Sequence, residues 1–177
     1  MTQKYIAEAV RALEAEGGAL EADAAAREAQ GAARGPVVPC SREDVDALQA
    51  MLPAPYKLPA AYVELLLYGG RSLAGVFQGI DFSFEMAKAL LEHGNRDIVR
   101  MLQASAPGAT LPPDVLVISE HQGSNFTYVR LTEGGDPPVY FWEEGEGGLE
   151  TSVCEHPTFS AFVTKAVKDH IAYGVRL

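Results

Sequence analysis

Cys154, Glu155 and His156 are consecutive and form the one local cluster of soft metal ligands in the sequence. Alternate side chains of an extended segment share a face, so Cys154 and His156 would point together with Glu155 opposite. Two ligands do not close a tetrahedral zinc site. The plainer reading is a buried thiol beside a turn histidine. His93, His121 and His170 are scattered, and no histidine stands in a His-Glu-x-x-His pair. His170 falls within an apolar helical stripe, which fits a partly buried, hydrogen-bonded residue. Ser72, Ser119 and Ser124 lack the Gly-x-Ser-x-Gly setting of an activated nucleophile. "GGRSLAG" has neither the lysine-hydroxyl pair of a phosphate-binding loop nor the glycine spacing of a dinucleotide fingerprint. No catalytic residue, metal ion or cofactor is therefore expected.

The acidic run from Glu143 to Glu150, "EEGEGGLE", is the most suggestive feature. Four carboxylates among glycines could grip a cation, but the stepped ligand spacing of a calcium-binding hand is missing. A solvated loop is the simplest use of such a run. Tyr140 and Trp142 lie just before it, and aromatic anchors beside a ring of acids are a familiar interface composition. Tyr140 and Trp142 are accordingly read as contact anchors, and Glu143, Glu144, Glu146 and Glu150 as steering groups around them.

These residues need elements to hold them. "DVLVIS" (114–119) and "NFTYVRL" (125–131) are short, apolar and β-branched or alternating, and "EHQGS" between them is of hairpin length. "TEGGDPP" then leads into "VYFWEE", and "GLETSVC" offers a fourth strand. Such short links allow only antiparallel pairing, hence a meander. Phe159, Phe162, Val163, Ala166, Val167, His170 and Ile171 follow at helical spacing, which predicts a long helix covering one face of the sheet.

Upstream, Ile6, Val10 and Leu13 predict a narrow-striped helix over about 3–16, stopping at Gly17 and Gly18. The alanine-rich stretch behind it reads as an exposed helix or a linker. Ser41 and Asp44 have the spacing of a capping box before a helix with Val45, Leu48 and Leu52 inward. "LPAAYVELLLYGG" (58–70) reads as a helix buried on several sides with a left-handed glycine stop at Gly69 or Gly70. "LAGVFQGI" (73–80) reads as a short irregular strand. Residues 81–106 read as two short helices or one kinked at Gly94-Asn95, with Met86, Leu90 and Leu91, then Ile98, Met101 and Leu102 inward. The organisation is thus an N-terminal helix and alanine-rich segment over 1–38 and a compact domain over 39–177.

With 177 residues, 47 % hydrophobic and 21 % charged, the chain can bury one sizeable core and has no apolar run long enough to span a bilayer. Its N-terminal stretch lacks a secretory signal, and two cysteines outside any Cys-x-x-Cys pair suit a reducing compartment, so a cytoplasmic location is expected. The net charge of −10 repels phosphate backbones and anionic lipid. Direct nucleic-acid and membrane partners are therefore not expected; the charge serves solubility on the plainer reading and a basic protein partner on the sharper one.

"SREDVDALQAML" followed by "YKLPAAYVELLLYGG" resembles the opening of the SUKH superfamily. "VLVISEHQGSNFTYVRL" and "PPVYFWEE" are similar to its strand, Gly-rich turn and Val-Tyr-x-Trp strand, and "PTFSAFV" to its closing helix. The resemblance runs from about Ser41 to Lys168. Tyr68 replaces the family's usual asparagine, and 82–110 is longer than the family core requires. The resemblance implies a single-domain α+β fold, an antiparallel β-meander backed by helices. It also implies an immunity protein that binds and neutralises a secreted polymorphic toxin, often one acting on nucleic acid. The alternative it implies is a cytosolic scaffold or regulator of the yeast cell-wall type. A pocket between sheet and helices lined by convergent polar groups would instead favour a small-molecule role.

Overall fold

The computed structural model describes residues 3–20, 36–77 and 82–173. Its first helix, α1 (Ala7–Leu20), is started from outside: the Glu64 carboxylate accepts from the backbone N–H groups of Lys4, Tyr5 and Ile6 at 2.9, 2.8 and 3.3 Å. These three residues lead directly into the helix, so the carboxylate fixes the entering chain at the positive end of the helix. Ile6, Ala9, Val10 and Leu13 are buried in the main core. The helix continues through Gly17 and Gly18 instead of stopping there, since glycine weakens a helix by about 1 kcal/mol without forbidding it. The reading of 21–35 lies outside the described residues.

A two-residue strand, β1 (Val37–Val38), pairs antiparallel with β2 (Ser72–Leu73). Between them lie α2 (Arg42–Met51) and α3 (Ala60–Gly69). The capping box forms as its spacing predicts: Ser41 Oγ accepts from Asp44 N–H at 3.1 Å and Asp44 accepts from Ser41 N–H at 2.9 Å. Val45, Leu48 and Leu52 are buried, as are Tyr62, Leu65 and Leu66 of α3. The glycine stop is different from the expected one. Gly70 is right-handed (φ −65°), and what it supplies is space: a Cβ there would lie 2.7 Å from Cys40 Sγ and 2.7 Å from the Leu66 backbone. At Gly69 a Cβ would meet Leu73 at 2.6 Å. The glycines let the β1–β2 ribbon and Cys40 close onto the end of α3. The strand read over 73–80 shrinks to Ser72–Leu73, because Ala74 and Gly75 turn the chain with positive φ; positions 78–81 lie outside the described residues.

Two helices follow, α4 (Phe84–Glu92) and α5 (Arg96–Ser105), separated by Gly94 and Asn95, both left-handed. That conformation suits glycine and asparagine and breaks the helix. On α4 the fully buried residues are Phe84 and Ala87, with Met86, Leu90 and Leu91 half-buried. On α5 the predicted Ile98, Met101 and Leu102 are buried.

The four-stranded sheet is the antiparallel meander β3 (Val115–His121), β4 (Asn125–Arg130), β5 (Val139–Glu143) and β6 (Val153–His156), in that order. Both faces of its first three strands are covered. One face, with Leu116, Ile118, Val129 and Val139, joins the main core beneath α1, α2, α3 and the last helix, α6 (Phe159–Tyr173). The other, with Val115, Val117, Phe126, Tyr128 and Trp142, packs against Ile98, Met101 and Leu102 of α5 as a second, smaller core. The α6 stripe is buried from Phe159 to His170, and its start is held by the Asp136 carboxylate, which accepts from Ser160 N–H at 2.8 Å and Ser160 Oγ–H at 2.6 Å. The fold is a single-domain α+β arrangement in which helices back an antiparallel meander.

Candidate protein-binding surface

The acidic loop is built on the second core. Strand β5 alternates across the sheet, so Tyr140 and Trp142 share the α5 face while Val139 and Phe141 take the other. The register sets Trp142 opposite Phe126 and Tyr140 opposite Tyr128. The rings stack at 5.0 Å and 5.2 Å between centroids. Cross-strand aromatic pairs of this kind are a main source of sheet stability.

Trp142 is 0 % exposed, which corrects its reading as a contact anchor. Its indole Nε1–H donates to the Gly147 carbonyl at 3.0 Å, so it anchors the acidic loop from below instead of a partner from above. The register that pairs it with Phe126 under α5 removes it from the surface. Tyr140 is half-buried, and its hydroxyl donates to the Glu133 carboxylate at 3.0 and 3.2 Å. Partial burial first, and that carboxylate second, push its phenol above the ordinary tyrosine value, because a phenolate there would lose solvent and face a second anion.

Glu143, Glu144, Glu146 and Glu150 are exposed. The loop that carries them is tied at several points. Gly145 N–H donates to Ser105 Oγ at 2.8 Å, at the end of α5, and Glu144 N–H donates to the Ser124 carbonyl at 2.8 Å, in the β3–β4 turn. Gly145 and Gly147 have φ of +91° and +108°, which only glycine adopts freely. Glu150 folds back, accepting from Gly148 N–H at 3.3 Å. Glu143, Glu144 and Glu146 are therefore the three carboxylates presented outward on a fixed backbone, and Glu150 belongs partly to the loop's own structure.

The other chemical candidates stay apart. Cys154 is exposed, not the buried thiol expected, because β6 lies at the sheet's edge; its Sγ lies 3.5 Å from the His156 carbonyl. The His156 ring rests edge-on against Phe162 at 5.5 Å. Among the described residues no three His, Cys, Asp or Glu side chains are grouped to hold a metal ion. Ser72 lies in β2, Ser119 is buried in β3, and Ser124 Oγ donates to the His121 carbonyl at 3.1 Å in the hairpin turn. An open groove of about 460 Å³ lies between the start of α1 and α6, lined by Tyr5, Glu8, Thr164 and Lys168 among others. Its charges are already matched, Lys168 to Glu8 at 2.6 Å and Lys165 to Asp169.

Two further surface residues emerge only in the structure, Glu133 as the Tyr140 partner and Val153 in solvent. For Val153 the signal was available: a fourth strand that ends a meander, with no apolar element after it except a helix already committed to the core, leaves one edge open.

Among the described residues no helix is long and apolar enough to cross a membrane. A search of curated proteins gives no match. The sequence model of the SMI1 / KNR4 family (SUKH-1) matches residues 39–165, from just before α2 into α6, and so takes in β2, the whole four-stranded meander and the acidic loop. Extending over most of the chain and agreeing with its helix-backed meander, that match means that the chain belongs to the SMI1 / KNR4 family (SUKH-1).

Proposed function

We propose that this protein is a cytoplasmic immunity protein that binds a cognate secreted toxin, of a class acting on nucleic acid, and neutralises it by occluding the toxin's active site without catalysis. The observation that carries this reading is the outward set of Glu143, Glu144 and Glu146 on a loop fixed from below by Trp142 and at its ends by Ser105 and Ser124. Membership of a family rich in immunity proteins supports it. A cleft that handles nucleic acid is basic, and a partner of net charge −10 is drawn to it over long range. A loop that is already ordered gives up little conformational freedom when it docks. Tyr140, stacked on Tyr128, supplies a rigid apolar flank beside the carboxylates.

The test is co-expression with the toxin encoded by the neighbouring reading frame. The chain should rescue growth and co-purify with the toxin. Reversing Glu143, Glu144 and Glu146 together to lysine should slow association at low salt by about tenfold or more, with a smaller effect at high salt. Equal protection by the charge-reversed chain would remove the acidic surface from the mechanism. Absence of any rescue by the natural chain would remove the immunity role itself and favour a regulator that binds cytosolic proteins.

A further inference from the structure

The two edges of the main sheet are treated differently. On β3, residues Val115 to Ser119 are buried, whereas on β6 residues Val153 to Glu155 are exposed. Among the described residues β6 pairs with β5 alone, and Val153, 59 % exposed, is the large hydrophobic side chain left in solvent. An open strand edge is a row of backbone donors and acceptors ready for another strand. Natural proteins blunt such edges by shortness and by charge. Here the strand is four residues long, its pairing with β5 shifts register so that Glu155 is the extra residue between Cys154 and His156, and Glu150 lies just before it. Those carboxylates oppose a second copy, which would bring the same acids and the same net charge of −10 to the edge. Against a positively charged strand they attract.

We propose that the open edge of β6 takes up an extended, lysine- or arginine-bearing segment of a protein partner as a fifth strand, with Val153 as its apolar contact and Glu155 and Glu150 as its charge contacts. Main-chain hydrogen bonds then supply affinity and the alternating side chains supply selection, as in other cases of strand addition. The acidic loop lies between β5 and β6, so a partner drawn to Glu143, Glu144 and Glu146 arrives beside this edge. The inference deepens the immunity reading and rests on it for the partner's identity, while the edge can be probed without the toxin.

The probe is an octapeptide alternating lysine with valine, added to the full chain while backbone amide exchange is followed. Saturating peptide should slow exchange of the outward-facing amides of Val153–His156 by about tenfold or more, since each new main-chain hydrogen bond must open first. The same peptide with glutamate for lysine, or with every second amide N-methylated, should leave exchange unchanged. The double variant Val153→Lys, Glu155→Lys changes two exposed side chains and should lose the protection while keeping its native spectrum. Failure of the lysine peptide to protect β6, equal protection by the glutamate peptide, or protection retained in the double variant overturns the proposal. Protection that grows with protein concentration in the absence of peptide also overturns it, in favour of a second copy. Growth rescue separates the two readings: a double variant that still rescues leaves immunity standing without the edge, and a natural chain that never rescues leaves the edge to be judged on exchange alone.

Discussion

The two faces of the meander are held in different ways. The main core draws side chains from α1, α2, α3, α4 and α6 onto Leu116, Ile118, Val129 and Val139. In the second core α5 supplies the buried helical side chains, with Leu90 of α4 packed at the margin, opposite a sheet face built around Phe126, Tyr128 and Trp142. Shared among many elements, the first specifies the fold. The second, covered mainly by one helix, specifies a surface, because Trp142 and Ser105 reach from it to the Gly145–Gly147 backbone. Losing a side chain from the first should loosen everything together, whereas losing one from the second should loosen the acidic loop before the rest.

The sharpest contrast sets Phe159→Ala against Leu102→Ala, both at fully buried positions. Phe159→Ala should cost about 3–5 kcal/mol in denaturant unfolding, with amide exchange in 143–150 rising only as far as global stability falls. Leu102→Ala should cost about 2–4 kcal/mol, and exchange in 143–150 should rise beyond the global change. Equal behaviour of the loop in the two variants would break the distinction. Trp142→Phe refines it: an aromatic ring still stacks on Phe126, but the donor to Gly147 is gone. The expected cost is about 1–2 kcal/mol, and slower association with a basic partner should accompany it because the loop is no longer preorganised.

This division was only half legible in the residues. Ser41 and Asp44, the α6 stripe and the short links of the meander each dictate local structure, and each appears as read. Trp142 was misplaced because alternation along β5 says that Tyr140 and Trp142 share a face without saying what covers it. The missing information was long-range: α5 returns to the second face. A signal did exist, since Ile98, Met101 and Leu102 form a stripe that had to be buried against something, and both sets of alternating positions in "NFTYVRL" carry large apolar side chains, Phe126 and Tyr128 on one and Val129 and Leu131 on the other. Gly70 was misjudged for a related reason, as a glycine's need for space depends on what approaches it, here Cys40 Sγ.

Cys40 and Cys154 extend the contrast to burial, one thiol enclosed and the other in solvent. Burial pushes the Cys40 thiol, 4 % exposed, from 9.0 up to about 11. In the unfolded chain the thiol ionises first, so between about pH 9 and about pH 11 the native state binds more protons, and stability falls as pH rises through that window. Urea midpoints of the natural chain should drop more steeply there than those of Cys40→Ala. Alkylation near neutral pH should label Cys154 quickly and Cys40 only as the core opens. Matched pH slopes, or labelling of both thiols at one rate, would remove Cys40 from the closed interior.

The smallest expected effect is at the boundary between the second core and solvent. The Tyr140 ring is held by Tyr128, and its hydroxyl reaches outward to Glu133. Tyr140→Phe leaves the stack in place and removes a partly solvated hydrogen bond, so it should cost less than about 1 kcal/mol. Titration by carbon-labelled tyrosine NMR is the more informative measurement. The Tyr140 phenol should titrate above the ordinary 10.0, and Glu133→Gln should bring it only part of the way back, since burial is the larger cause and the carboxylate the smaller. Full return to the ordinary value in Glu133→Gln would mean that the ring is not packed against the second core. No change at all would mean that Glu133 does not hold the hydroxyl, and Tyr140 would then be free to turn its polar end toward a partner.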